Sequence, residues 1–162
     1  MKSQSSIALI SLLLPLLAAA APPKGGCIVL TTVAEQEQTV TAADGTSGKH
    51  YKPATQVVPG SEVVWSTTAK NTCTKPAEHV VIDQPVPEHM VFVADSVIGG
   101  GAQVSLSVDG KVYLPAAQLT ARNADGSVRP ARATDVRFVR WTLSSPIAPQ
   151  DEFAARFRAV LQ

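Results

Sequence analysis

The chain has 162 residues, a formal net charge of +1 and only 17% charged residues. That balance gives no global electrostatic case for binding nucleic acid or an anionic membrane surface. The length suits one domain with its own buried core and no metal or cofactor, since domains typically run about 100–150 residues.

Lys2, an apolar run over residues 7–17 and the four alanines Ala18 to Ala21 have the layout of a secretory signal peptide. The reading is a cleaved signal over residues 1–21, a short linker over 22–26 and a single domain over 27–162. The apolar run is shorter than the ~20 residues a spanning helix needs. No later segment is long and apolar enough either. The expectation is therefore an exported protein, periplasmic or at the cell surface, with no stable membrane insertion after cleavage. Two cysteines in an exported chain favour a disulfide between Cys27 and Cys73. Cys27 opens the first strand-like run, and Cys73 follows the end of the run that starts at Glu62. An antiparallel pairing of those strands would bring the two cysteines together.

The first strand is predicted over residues 27–33, where Ile28, Val29, Leu30 and Val33 are apolar. Residues 35–52 are polar and turn-rich, with a small edge strand at Thr39-Val40-Thr41, and read as a long hairpin-like excursion. Pro59-Gly60 turns into a strand over residues 62–70, with Val63, Trp65, Thr67 and Ala69 on the predicted core face. A β-branched run over residues 80–83 follows, and the two runs read as antiparallel strands of a sandwich. Pro85-Val86-Pro87 must be a loop or an edge, because proline cannot donate to a central ladder. Short strands are expected over 90–94, 103–108 and 111–114, the last two joined by a two-residue Asp109-Gly110 turn. Residues 123–130 read as a polar loop. Residues 135–143 and 152–161 then alternate clearly, with Val139, Trp141 and Leu143, and Phe153, Ala155, Phe157, Ala159 and Leu161, each on one face. The fold expected is an all-β, Ig-like β-sandwich of about seven to nine mostly antiparallel strands.

The order Pro59-Gly60, Trp65, Asn71-Thr72, Val80-Val81-Ile82-Asp83, Pro85 to Pro87, Phe92-Val93, then Arg140-Trp141-Thr142-Leu143 and Pro149, resembles a bacterial family. Its members are exported Ig-like modules called the conserved-repeat domain, a domain of unknown function. The likeness runs from about Pro59 to the end of the chain. It implies a structural or binding role in the cell envelope and carries no catalytic residues. Cys73 departs from the family's usual turn residue, glycine.

The sequence contains no GxSxG, HExxH or phosphate-binding loop. The metal candidates are His79, His89 and Met90, a set that would suit copper. The competing reading places both histidines at strand ends and loops. Asp109-Gly110 and Asp125-Gly126 lack the closely spaced oxygens of a calcium loop and read as turns. For sugar stacking, Trp65 and Trp141 fall on core faces, which leaves Tyr51 and Tyr113. Every arginine follows Thr120: Arg122, Arg129, Arg132, Arg137, Arg140, Arg156 and Arg158. They suggest an anionic partner, or a solvated strand face interleaved with Asp125, Asp135, Asp151 and Glu152.

The function expected is a non-catalytic structural or binding module of the bacterial envelope, needing no cofactor. Its partner would be an envelope protein or a polysaccharide. The alternative is a periplasmic metal- or glycan-binding protein. Loops over residues 35–52 and 85–89, or an exposed edge strand, are the places where a partner would be met.

Overall fold

A computed structural model describes residues 26–162. The signal-peptide and most of the linker reading lies outside the described residues. The described chain is all-β, with antiparallel strands β1 (Ile28–Thr41), β2 (Ser47–Pro53), β3 (Glu62–Asn71), β4 (Val81–Pro85) and β5 (Met90–Phe92) in its first half. The second half holds β6 (Ala102–Ser107), β7 (Thr120–Arg122), β8 (Val128–Pro130), β9 (Phe138–Leu143) and β10 (Glu152–Leu161). A five-stranded sheet runs β2-β1-β3-β10-β5, a three-stranded sheet runs β4-β9-β6, and β7 and β8 form a separate hairpin.

The two larger sheets share one core. Val63, Ala69, Phe92, Ala155, Phe157 and Ala159 come from the first sheet, and Ile82, Leu106, Val139 and Trp141 from the second. Trp141 and Phe157 are fully buried and meet across the core with ring centroids 6.5 Å apart. Their rows follow from period-two alternation: Phe157 lies opposite Trp65, and Trp141 lies between Ile82 and Val104. A polar chain also joins the sheets. Thr67 Oγ1 donates to Gln84 Oε1 and lies 3.0 Å from Thr32 Oγ1.

The described residues form ten strands, where about seven to nine were expected. The additional pairing comes from the stretch read as a polar loop, where Asp125 Oδ1 accepts from the Ser127 amide and closes the β7–β8 turn. The runs at residues 63–69 and 80–83 are not partners. β3 lies between β1 and β10, while β4 forms the edge of the opposite sheet beside β9. Pro85 closes that edge strand, where no inner ladder is broken. The tight Asp109-Gly110 hairpin does not form. Asp109 Oδ1 accepts from the amides of Lys111 and Val112, taking donors that ladder pairing would have used. Leu106 then meets Leu114 in a single bridge across a wider loop.

One end of the sandwich is tied by the Cys27–Cys73 disulfide, with Cα atoms 5.2 Å apart. The register Ile28↔Asn71 brings the cysteines there, and the Thr72 amide donates to the Cys27 carbonyl at 2.8 Å. The expected proximity of strand start and strand end is the cause. At the other end, β1 outruns β3, and its residues from Gln36 to Thr41 pair with β2 as a projecting two-stranded arm.

Candidate functional site

The metal candidates are not brought together. His79 precedes β4 and His89 follows it, on either side of a strand that spans roughly 13 Å at ~3.3 Å per residue. Both are exposed in left-handed turn conformations, with φ of 53° and 62°. Met90 is buried in the core. Among the described residues, no group of three or more His, Cys, Asp or Glu side chains is placed to hold a metal ion.

The sugar-stacking candidates are occupied. The Arg156 guanidinium lies over the Tyr51 ring at 4.7 Å, and that of Arg140 over the Tyr113 ring at 3.5 Å. Burial, then the neighbouring Asp83 charge, push the Tyr113 hydroxyl above its ordinary pKa. Trp65 and Trp141 have their indole nitrogens inside the protein.

Much of the arginine charge is internally answered. Arg140 gives Asp83 two hydrogen bonds, of 2.5 and 2.7 Å. Arg129 does the same for Asp135 at 2.6 and 2.9 Å. Arg158 reaches Glu37 at 3.0 Å and Glu62 at 3.3 Å. Glu37 also receives Lys49 at 2.8 Å, which, ahead of Arg158, holds its carboxyl below the usual range. These contacts fasten the base of the β1–β2 arm to the face of β10.

What the fold leaves unanswered is an edge. In an antiparallel ladder, alternate residues direct both amide groups to the same neighbour. The Cys27 carbonyl accepts from Thr72, so Val29, Thr31 and Val33 also bond to β3, and Ile28, Leu30 and Thr32 direct their amide groups outward. The Ala34 carbonyl, next in that outward set, accepts from the Ala54 amide at 2.9 Å, and β2 follows from there. Among the described residues no strand lies along the outer side of Ile28–Thr32.

Other strand edges in the fold carry recognised protections. β2 has Lys49, Lys52 and Pro53, β4 has Asp83 and Pro85, β5 is only three residues long, and β6 is met by Leu114. The segment from Ile28 to Ala34 has no charge and no proline; Ile28 and Ala34 pack against the core, while three of its apolar side chains are open. Val29 is 49%, Leu30 52% and Val33 46% exposed. Leu30 belongs to the core-side row Leu30–Ala69–Phe153, yet lies in the open while Ala69 is fully buried. The three-stranded sheet is too narrow to cover it. The sequence signal was present as an uncharged run, but it reads equally as an interior strand.

No protein-family model, curated protein or solved structure matches the chain.

Proposed function

We propose that the protein is a non-catalytic, exported Ig-like module of the bacterial cell envelope that binds a protein partner by strand addition along β1. The observation that carries this is the unguarded edge, where Ile28, Leu30 and Thr32 direct their amide groups outward between exposed apolar side chains. An incoming strand would gain main-chain hydrogen bonds from those groups and cover Val29, Leu30 and Val33, the mode of recognition called β-augmentation. The disulfide at one end and the Ala54 hydrogen bond at the other hold the edge in its extended form, which lowers the ordering cost of binding. The motif order along the chain supports the envelope assignment, and the disulfide fits an oxidising compartment.

The reading is tested by placing a photo-crosslinking residue at Leu30 in the producing bacterium, with Gln103 on the opposite sheet as control. Adducts are expected from Leu30 alone, and are expected to disappear with Thr32→Pro, which removes an outward amide donor. Equal adducts from both positions, or turnover of a substrate by the purified chain, would remove the proposal.

A further inference from the structure

We propose that the partner seated on this edge is a second copy of the same chain, joined through β1 about a two-fold axis at Leu30. The inference rests on the reading of the edge as a binding site and names its occupant.

The free groups themselves define the register. The outward residues are Ile28, Leu30 and Thr32, evenly placed about Leu30. An antiparallel copy with Leu30 opposite Leu30 sets Ile28 opposite Thr32 and uses every one of these amide groups reciprocally. The ladder ends there for a stated reason. The next outward residue, Ala34, already gives its carbonyl to Ala54. A register shifted to centre on Thr31 would set Ile28 opposite Ala34 and compete with that bond.

The side chains agree with this symmetry. The core-side row Phe153–Ala69–Leu30 would continue through the second Leu30 into its Ala69 and Phe153, making one apolar row across both copies. On the outer face, Val29 would lie against Thr31 of the other copy. No charged residue lies between Cys27 and Ala34, so the axis brings no like charges together. The contact is isologous, the commonest form of closed assembly. Because β1 runs beyond the axis into the projecting arm, the two arms would point in opposite directions. The ladder is short, so association on the order of micromolar is expected for an interface at the small end of the range.

The test uses the full disulfide-bonded chain and sedimentation across a concentration series. Leu30→Lys and Leu30→Glu each place a charge against its own image. They are tolerable in the monomer because Leu30 is half exposed. Wild type is expected to dimerise, and each variant alone to weaken the dimer by at least about tenfold. An equimolar mixture of the two variants is expected to restore dimer, since Lys then faces Glu. Near-UV circular dichroism of the monomers reports folding, and the mixture reports the register directly. A wild type that stays monomeric to about 1 mM, a Leu30→Lys chain that dimerises like wild type, or a mixture no better than its components would overturn the proposal. Leu30 adducts to a different protein in cells, with a monomeric wild type in solution, would remove the second copy and leave the edge reading standing. No adducts together with a monomeric chain would remove both.

Discussion

The Asn71 side chain donates from Nδ2 to the Ile147 carbonyl at 2.9 Å, across a sequence separation of 76 residues. The same nitrogen donates to the Lys75 carbonyl at 2.8 Å, and Oδ1 accepts from the Cys73 amide at 3.0 Å. Asn71 is fully buried. One side chain therefore fixes the turn that carries Cys73 and the loop that leads into β10. Asn71→Ala leaves these partners unsatisfied and is expected to cost about 2–3 kcal/mol. Urea melts of the oxidised protein measure this; a loss under about 0.5 kcal/mol would mean that water replaces the amide.

The disulfide joins two cysteines at a sequence separation of 46. The chain-entropy relation puts its contribution at about 4 kcal/mol. Cys27→Ser with Cys73→Ser is expected to lower stability by about that amount. Thiol titration of denatured, unreduced protein should find no free thiol, and two would contradict the pairing.

Asp135 accepts two hydrogen bonds from Arg129 and one from the Arg132 amide at 2.7 Å. The Arg129 bonds first, then the Arg132 amide, lower its pKa to about 2. Its ordinary value is about 3.9. The folded state thus binds this proton less readily than the unfolded chain does. The stabilisation is complete above about pH 4 and is lost as the pH falls toward 2. Asp135→Asn should flatten this part of the acid limb in melts between pH 2 and 5. An unchanged limb would show that the pair gives no net stabilisation.

Gly99 packs against the Trp141 ring. A Cβ there would lie 2.5 Å from Cδ1 and 2.6 Å from Nε1 of an indole that is fully buried. Gly99→Ala is expected to cost about 1–3 kcal/mol through overpacking. Shifted tryptophan fluorescence should accompany the loss, and wild-type stability would contradict the close approach.

The alternating segments were legible wherever one face meets the core and the other does not. In β9 and β10, Val139, Trp141, Ala155, Phe157 and Ala159 are buried as their spacing predicted. β3 was only half legible. Val63 and Ala69 are buried as expected, but Val64 is buried too, on the opposite face. The long side chains of Glu35 and Arg158 flank Val64 there. The sheet that β4 joins was not legible, because two apolar runs close in sequence carry no record of which sheet each joins. The cysteine pair was legible because strand start and strand end meet in any antiparallel pairing. The β1 edge was not, because Leu30 is exposed only through the narrowness of the sheet opposite it. The placement of the metal candidates was not legible either, since β4 lies between His79 and His89 and Met90 turns inward.

The disulfide also decides how the fold carries mechanical load. Tension entering at Cys27 passes through the sulfur bridge to Cys73, at the end of β3, so it does not peel β1 from its neighbour. Tension entering at Gln162 draws on β10 from the opposite end of the molecule, where Val160 lies beside Glu62. The two pulls slide β3 and β10 lengthwise past each other along the register from Glu152↔Lys70 to Val160↔Glu62. All the hydrogen bonds of that ladder then share the force together rather than breaking one at a time. Stretched between those two points, the protein would behave as a stiff link in series with whatever holds its ends.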